Sequence, residues 1–407
     1  MRIFTAVRHS INPEFYYGGL WSGNFYPALR QLGHQIVESQ VDLLPASQFM
    51  QIPTNFTKQE QEVRSQITQK IVDEVRQAHL QERVDLFLSY FYNSHFEPEG
   101  FAEIHRLGIP TVNFYCNSIY QFELVAEIAT KVQFSWHPEK AARSLYLQVG
   151  ANPIWVQMGA DPKIYHPIKS STRQAKACFV GQRYANRNRL LATLIENQIP
   201  LDIYGSGWSS AALVKSSLQP LEQPQTEYLG RQLQQPGSLK SYAQTAWSHI
   251  KNQGIITGIQ RIIKQVYYRH QSRQLAPILT TAACGFAKNI SQTFAQYEVI
   301  MNLSDVWSDG FPGSKLIPHV RLRDFEAPMC RTCYLTGYTD EIAEFYQLGK
   351  EIDTYRYPDE LLDKMRFYLH HLSQAEKLRE AGYQRALRDH TWKRRFEQLF
   401  KQIDFKI

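Results

Sequence analysis

Acidic residues are missing from one long stretch of the sequence. No Asp or Glu occurs from Tyr228 to Tyr297, whereas eight Lys or Arg residues do. The whole chain has 45 basic and 38 acidic residues, so 37 basic residues remain outside the stretch against 38 acidic ones. This one segment therefore carries the whole formal net charge of +7, and the rest of the chain is close to neutral.

Cysteine is scarce, and long apolar runs are missing. The five cysteines are scattered and odd in number, which is typical of a reducing cytosol and argues against a disulfide framework. No apolar run reaches the roughly 18 residues that a membrane span needs. The N-terminal apolar run is too short for a signal peptide and is followed at once by Arg8 and His9. We therefore expect a cytoplasmic globular protein, and 407 residues correspond to two or three domains.

The first part of the chain alternates between strand and helix patterns. Strand patterns cover 2–7, 35–37, 85–92, 109–115 and 131–137, and helix patterns cover 24–32, 57–82, 101–107 and 139–149. Such alternation predicts a parallel sheet covered on both faces, with ligands bound beyond the carboxyl ends of its strands. The polar residues expected at these ends are Asn93, Ser94, His95, Asn117, Ser118 and His137.

A second α/β pattern follows a linker stiffened by Pro162 and Pro167. Strand patterns at 177–180 and 201–205 flank a helix at 190–197, and the sheet resumes at 299–304 after the basic stretch. A short helix and strand occupy 323–336, and further helices are expected at about 360–370, 374–389 and 393–403. The sequence therefore predicts two domains, 1–166 and 167–390, with a basic insert at about 210–290.

Three arginines follow the first strand of the second domain. Arg183, Arg187 and Arg189 come directly after Gly181, where a helix begins. Backbone N–H groups at a helix start and guanidinium forks together suit a diphosphate. The alternative interpretation is a solvated charged turn.

Glu326 is the strongest single candidate. It lies in a short helix just after Arg321 and Arg323, and a carboxylate there suits a ribose diol because it accepts two hydroxyl protons at once. Arg321 and Arg323 could add to a phosphate-binding field or simply face water. The alternative is an ordinary surface ion pair between Glu326 and Arg323.

Several glycines and one histidine are further candidates. Glycines let a backbone approach a phosphate closely, and those in loops expected to face a ligand are Gly18, Gly19, Gly181, Gly205, Gly310 and Gly313. Ordinary surface turns are the alternative interpretation of the glycines at 18–19 and at 310 and 313. His95 ends a strand and could position an acceptor or stabilise developing charge, although an ordinary loop histidine is the alternative. The Cys330–Cys333 pair has no second pair to complete a zinc site.

The basic stretch contains an amphipathic helix pattern. On a helical wheel seven apolar residues from Ile255 to Tyr267 share an arc of about 140°, and Arg261, Lys264 and Gln265 lie opposite. A basic helix without acids suits an anionic membrane surface through 250–269, and a lid packed on its own domain is the alternative. Nucleic acid is not expected as a partner, because the aromatic residues are not interleaved as a stacking platform.

The sequence resembles the GT-B glycosyltransferases of the family-1/family-4 type, and in particular their spore-maturation branch. The matching features are the Arg323–Glu326 run before the strand at 334–336, the Gly159–Pro167 linker, Gly349, Tyr355, Ala381–Tyr383 and the run from His390 to Phe396. The resemblance implies two facing Rossmann-like domains with a cleft between them and a last helix, 391–407, that crosses back to the first domain. It also implies that Arg187 neutralises the leaving diphosphate and that Glu326 holds the ribose. One departure is Pro318, which stands where the family has a first glutamate that serves the donor sugar.

The resemblance implies a hexosyltransferase that transfers a sugar from a nucleotide-sugar donor to a carbohydrate, lipid or protein acceptor with retention of configuration. No metal cofactor is expected, because arginines and helix termini can hold the donor phosphates. His95 and Arg187 are the catalytic candidates. A catalytically silent nucleotide- or sugar-binding scaffold and a nucleotide-sugar epimerase of the same fold are the alternatives. Peripheral attachment to the inner membrane face remains an alternative to a purely cytoplasmic location.

Overall fold

The structure is a computed structural model that describes residues 1–7, 20–169, 172–208, 255–308 and 312–404. The side chains of 255–258 and 261 are outside the described part. The chain divides into two compact units. The first comprises residues 1–159 and 391–407, and the second comprises most of 160–390, as far as these residues are described.

The first unit is built around a six-stranded parallel sheet. Its strands are β1 (Arg2–Ala6), β2 (Gln35–Glu38), β3 (Leu86–Ser89), β4 (Thr111–Phe114), β5 (Phe134–His137) and β6 (Pro153–Trp155). They are arranged in the order β2-β1-β3-β4-β5-β6, and every neighbouring pair is parallel. Its first helices are α1 (Leu20–Gln31), α2 (Lys58–Gln81), α3 (Pro98–Arg106), α4 (Ser118–Gln121), α5 (Ala126–Ala129) and α6 (Arg143–Gln148).

Local sequence explains where the longest helix of this unit begins. The Thr57 hydroxyl accepts a hydrogen bond from the Glu60 N–H at 3.2 Å, and the Glu60 carboxylate accepts one from the Thr57 N–H at 2.7 Å. This reciprocal capping satisfies two N–H groups that a helix start leaves unpaired. The helix predicted at 57–82 therefore begins at Lys58 and buries Ile67, Ile71 and Val75 against the unit.

The second unit contains a five-stranded parallel sheet in the order β13-β12-β9-β7-β8. Its strands are β7 (Gln174–Val180), β8 (Leu201–Tyr204), β9 (Tyr297–Met301), β12 (Tyr334–Gly337) and β13 (Asp353–Tyr355). A separate antiparallel pair consists of β10 (Val306–Trp307) and β11 (Leu316–Ile317). Its helices are α7 (Arg187–Glu196), α8 (Ile255–Gln274), α9 (Ala276–Thr281), α10 (Ile290–Ala295), α11 (Arg323–Met329), α12 (Pro358–His370) and α13 (Leu372–Asp389).

The last helix, α14 (Trp392–Gln402), packs in the first unit. Trp392 and Phe396 contact Phe25 of α1 with ring centroids 5.0 and 5.3 Å apart. Phe396 also lies 5.5 Å from the Trp136 ring. The end of the chain therefore completes the aromatic core of the unit that contains its beginning.

The two parallel sheets confirm the α/β organisation that strand and helix alternation predicted. Thr339 and Asp340 are typical helix-cap residues, and the sequence predicts a helix after them. This expectation is wrong, because the residues that follow form a single 3₁₀ turn, Ile342–Glu344. The Thr339 hydroxyl does accept a hydrogen bond from the Ile342 N–H at 2.9 Å.

Candidate functional site

The candidate site lies at the carboxyl edge of the second sheet, where the loops after β7 and β8 touch. Gly205 has φ +128°, and a Cβ atom at this position would lie 2.3 Å from the Gly181 carbonyl oxygen. The Trp208 indole N–H donates to the same oxygen at 2.6 Å. Only glycine allows this backbone-to-backbone approach. The predicted phosphate roles of both glycines stay predictions, and their first structural use is to join two loops.

Arg187 begins α7 and is buried. Its Nε donates to the Leu303 carbonyl at 3.1 Å, and its Nη1 donates to the Gln182 carbonyl at 2.9 Å. The guanidinium also lies 5.5 Å from the centre of the Phe179 ring. Arg187 therefore fastens the loop after β7 to the loop after β9, a use that the sequence did not predict. Its role toward a diphosphate stays a prediction.

Arg183 is half-buried and holds α8 in place. Its Nη2 donates to the Ser272 carbonyl and to the Ser272 hydroxyl, the latter at 2.9 Å. Burial lowers the pKa of Arg183, because a low-dielectric environment disfavours the charged form. Its predicted contact with phosphate stays untested.

Two further contacts seat α8 on the same loops. The Tyr268 hydroxyl donates to the Ala185 carbonyl at 2.5 Å, and its ring centroid lies 5.1 Å from that of Trp307. Burial raises the pKa of Tyr268 to about 12. At Gly313, which has φ +89°, a Cβ atom would lie 3.1 Å from the Lys264 carbonyl oxygen. The absent side chain at Gly313 thus makes room for a helix, and its phosphate role stays a prediction.

Asp324 organises the start of α11 from a fully buried position. Its carboxylate accepts hydrogen bonds from the Tyr334 hydroxyl at 2.7 Å and the Thr336 hydroxyl at 2.8 Å. It also accepts from the Arg321 N–H at 2.6 Å and the Asn302 side chain at 3.3 Å. Burial raises the pKa of Asp324, and these hydrogen bonds oppose the rise. The carboxylate therefore ties the residues before α11 to the ends of β9 and β12.

Glu326 and Arg323 form an ion pair with 2.8 Å between Oε2 and Nη1. The pair forms as the alternative interpretation anticipated, but it is not a surface pair, because Glu326 is only 4% exposed. The Arg323 guanidinium lies 5.4 Å from the centre of the Phe294 ring. A buried carboxylate beside a guanidinium is held in one position, which suits ligand binding, and its ribose role stays a prediction.

Polar atoms that are buried without a hydrogen-bond partner gather in the loops of this sheet edge. Such atoms cost free energy, and most folded proteins contain few of them. Among the described residues, those in these loops or in the first turn of α7 are Arg183 Nε, Asn186 Oδ1, Asn188 Oδ1, Ser206 Oγ, Ser304 Oγ, Ser314 Oγ, and Nε and Nη2 of Arg321. They lie after β7, after β8 or between β9 and α11, so the segments beyond the carboxyl ends of these strands contain several unused donors and acceptors.

Sequence reasoning missed most of these residues. It considered Arg321 either as part of a phosphate field or as facing water, and the structure places its Nε and Nη2 inside the protein. Ser304 and Ser206 could have been found as polar residues that directly follow strands of a parallel sheet. Nothing local marks Asn186 and Asn188, because their burial depends on contacts made across the sheet.

His95 in the first unit is fully buried. The Tyr92 N–H donates to its Nδ1 at 3.3 Å, and its Nε2 lies 2.8 Å from the Ser47 hydroxyl oxygen. Both ring nitrogens therefore have protein partners, and none is presented to an acceptor. This burial favours the alternative of an ordinary structural histidine, and the catalytic role that the sequence suggested for His95 stays a prediction.

Three predicted site glycines, Gly18, Gly19 and Gly310, lie outside the described residues. Cys330 and Cys333 are both buried, and burial raises the pKa of each thiol to about 12. In the described part of the chain, no group of three or more His, Cys, Asp or Glu side chains could hold a metal ion. Every helix in this part of the chain is too short or too polar to span a lipid bilayer.

The two parallel sheets and the whole-chain structural similarities define the fold class as GT-B. A glycosyltransferase from Rickettsia africae has a TM-score of 0.55 at 9% identity over 99% of this chain and 98% of its own. Sucrose-phosphate synthase from Thermosynechococcus elongatus has a TM-score of 0.55 at 11% identity over 99% of both chains. HepE from Anabaena, in a structure with UDP and glucose, has a TM-score of 0.53 at 11% identity over 99% of both chains. The predicted fold class is confirmed.

A family match covers the part of the chain that contains α11. Residues 286–401 match the family model described as glycosyl transferase-like. Among curated proteins, none matches the sequence significantly. The family match therefore includes Ser304, Arg321, Asp324 and Glu326, and excludes α8 and the loops after β7 and β8.

Proposed function

We propose that this protein is a glycosyltransferase that transfers a sugar from a nucleotide-sugar donor to an acceptor. The match of 286–401 to a glycosyl transferase-like family and the GT-B fold support this proposal. The observation that carries it is the polar edge of the second sheet. There, Arg321 buries Nε and Nη2 with no partner among the described residues, and Arg323, two residues further along, forms an ion pair with the buried Glu326.

The arginines suit a diphosphate. A guanidinium offers donors in a fixed fork that matches two phosphate oxygens, and a diphosphate would give Arg321 Nε and Nη2 the acceptors that they lack. Ser304 and Ser206 have unused hydroxyls in neighbouring loops, and both can donate to phosphate or ribose oxygens. The charge of the diphosphate would offset the cost of burying these groups.

Glu326 suits the ribose. A carboxylate can accept hydrogen bonds from both hydroxyls of a diol, and the ion pair with Arg323 orients Glu326 within its buried site. HepE was crystallised with UDP and with UDP-glucose, and we extend that ligand class, a uridine nucleotide, to this chain as part of the proposal.

We further propose that the protein is a hexosyltransferase of the spore-maturation type that works with retention and without a metal. In this reaction the bond from the anomeric carbon to the diphosphate oxygen breaks, and a bond to the acceptor oxygen forms on the same face. The acceptor proton moves to the departing diphosphate oxygen, which carries away the electron pair. Arg321 and Arg323 would stabilise the charge that develops there, as would Arg187 if its carbonyl contacts rearrange.

The proposal is tested by calorimetric titration with UDP, GDP and ADP in the presence of a metal chelator. We expect one diphosphate to bind in the micromolar range, about 8 kcal/mol. Glu326→Ala and Arg321→Ala should each weaken binding tenfold or more, about 1.4 kcal/mol. The matched controls are Asp363→Ala and Lys377→Ala, because both residues are exposed on helices of the same unit. A second titration, with magnesium in place of the chelator, should give the same affinity.

The outcomes separate the claims. If no diphosphate binds, the glycosyltransferase proposal is lost. If binding is unaffected by both substitutions, the nucleotide site is elsewhere. If a diphosphate binds, the matching nucleotide sugar is incubated with candidate acceptors, and the anomeric configuration of the product is read by nuclear magnetic resonance.

A second candidate is a catalytically silent GT-B scaffold that binds a nucleotide or a sugar. The observation that favours it is Pro318, which stands where the resembled family has a glutamate that serves the donor sugar. Nucleotide binding without release of diphosphate from any nucleotide sugar, with or without acceptor, would favour the scaffold. Conversion of the donor without any acceptor would instead indicate an epimerase.

A further inference from the structure

Helix α8 turns an apolar face to solvent. Ile259 is 46% exposed, Ile263 63%, Val266 59% and Tyr267 63%. These residues are spaced by four, three and one positions, so they lie on one side of the helix. We call these four residues the α8 stripe. Globular proteins normally turn such a stripe toward their core, so its exposure needs a cause.

The opposite side of α8 is fastened to the second unit. Tyr268 donates to the Ala185 carbonyl at 2.5 Å, and Ser272 accepts from Arg183 at 2.9 Å. The backbone at Lys264 lies against Gly313. These contacts span three turns and set the rotation of the helix about its axis. The α8 stripe is therefore held outward by polar contacts on the other side.

The charged residues of α8 are all basic. No acidic residue occurs from 228 to 297, so α8 carries none. Lys264, His270 and Arg273 are exposed, and on the helical wheel His270 and Arg273 continue the side that bears the α8 stripe. A surface that is apolar and basic, and lacks acids, complements an anionic partner.

We propose that α8 binds an anionic lipid surface, with the α8 stripe inserted at the boundary between headgroups and acyl chains and the basic residues against the headgroups. A helix of 20 residues is about 30 Å long. Because its polar side is fastened to the protein, the helix would lie parallel to the membrane plane. Interfacial helices combine these features: an apolar side, basic residues and no membrane span. This proposal does not depend on the proposed function.

The test is vesicle sedimentation with the full chain and two lipid mixtures. We expect binding to vesicles of phosphatidylcholine and phosphatidylglycerol in equal parts, and little binding to phosphatidylcholine alone. Ile263→Glu should weaken binding about tenfold, because it replaces an apolar side chain that the membrane would bury by a charge of the wrong sign. The matched control is Leu372→Glu, since Leu372 is 51% exposed in the same unit and lies outside the stripe.

The electrostatic part is tested separately. Arg273→Gln should weaken vesicle binding about fivefold, and salt at about 1 M, where the screening length is about 3 Å, should weaken it further. Circular dichroism melting of each variant checks that the fold is retained. If Ile263→Glu alters the melting curve, Val266→Gln takes its place, because it changes the α8 stripe without adding a charge.

Three results would overturn the proposal. The first is no binding of the wild-type chain to the anionic vesicles. The second is equal loss of binding in Ile263→Glu and Leu372→Glu. The third is a wild-type dimer in analytical ultracentrifugation that Ile263→Glu dissociates without any change in vesicle binding, because the stripe would then be a contact between two copies.

Discussion

Arg183, Arg187 and Arg321 have the same side chain but different uses. Arg183 donates to Ser272, and Arg187 donates to the carbonyls of Leu303 and Gln182. Arg321 buries Nε and Nη2 without a partner among the described residues. A guanidinium engaged by carbonyls must give up those bonds to bind phosphate, whereas Arg321 would gain bonds. For this reason we propose Arg321, rather than Arg183 or Arg187, as the first phosphate contact.

His137 at the end of β5 is buried in a way that opposes protonation. Its Nδ1 lies 2.9 Å from the Glu139 carbonyl oxygen, so Nδ1 carries the proton, and Nε2 is buried without a partner among the described residues. The ring stacks on Tyr146 with centroids 5.0 Å apart. Burial lowers the pKa of His137 to about 4, because a second proton would place an unpaired charge inside the protein.

We therefore expect His137 to destabilise the fold in acid. Below the ordinary histidine pKa of 6.5, the unfolded chain binds a proton that the folded chain rejects, so the free energy of unfolding falls as the pH drops from 6.5 toward 4. The full loss is on the order of 3 kcal/mol. Urea unfolding of His137→Phe, which keeps a ring against Tyr146, should show a smaller decrease between pH 7 and pH 4.5.

His105→Gln is the control for this measurement, because His105 is exposed. Its unfolding should follow the same pH dependence as that of the wild-type chain. The same acid sensitivity in His137→Phe and in the wild-type chain would contradict the assignment to His137. It would leave the other buried histidines with lowered pKa values, His34 and His319, as the source.

The position of helix α8 depends on a glycine that lies far from it in the sequence. Gly313 has φ +89°, and an added Cβ would lie 3.0 to 3.1 Å from backbone and Cβ atoms of Lys264. Gly349 also has a positive φ, +75°, but an added Cβ there meets nothing within 4 Å. The two glycines share the backbone conformation and differ only in this contact.

Gly313→Ala should therefore loosen α8, whereas Gly349→Ala should not. Both substitutions carry the strain of a left-handed residue, about 1 kcal/mol. Only the first also pushes against the helix backbone. We expect the amides of 262–274 to exchange hydrogen about tenfold faster in Gly313→Ala. Equal acceleration in the two variants would show that strain alone is responsible, and that Gly313 does not hold α8.

The start of α11 shows a second use of tertiary contacts within an element. This helix has seven residues and contains Pro328, so its own backbone hydrogen bonds are few. Asp324 compensates by accepting hydrogen bonds from Tyr334 and Thr336 of the neighbouring strand β12. The short helix thereby presents Glu326 and Arg323 from a fixed backbone, which a ligand site requires.

The last helix of the chain belongs to the compact unit that contains the first strand. Phe396 of α14 is fully buried, and its ring lies within 6 Å of the Phe25, Trp136 and Phe400 ring centroids. The described residues between 160 and 390 form the other unit. A change in α14 should therefore act on the first sheet, although α13 is its neighbour in the sequence.

Phe396→Ala should destabilise the first unit by about 3–5 kcal/mol, since it leaves a cavity among aromatic rings. Hydrogen exchange should accelerate in β1 to β6 and not in β7 to β9. Phe367→Ala is the control, because Phe367 is 42% exposed on α12, and it should change neither sheet by more than about 1 kcal/mol. Faster exchange confined to β7–β9 in Phe396→Ala would refute the assignment of α14.

The amino-acid sequence alone predicts the alternation of strands and helices, and hence two parallel sheets whose loops at the carboxyl edges could be located in advance. It also determined the acid-free stretch, because composition does not depend on folding. These features are local, because apolar residues recur every two positions along a half-buried strand and about every four positions along a half-buried helix. The family resemblance in 299–400 added the expectation of a GT-B fold, which the structure bears out.

Three features become visible only in the folded chain: which donors of each arginine are occupied, that His95 is buried, and which side of α8 faces solvent. Arg183 meets Ser272 across 89 positions of sequence, and Arg187 meets Leu303 across 116. A wheel drawn from the sequence shows that α8 has an apolar side, but polar contacts with Ala185 and Arg183 turn that side outward. Contacts between distant segments have no local pattern, so burial and side-chain partners at this site emerge only when the sheet brings its loops together.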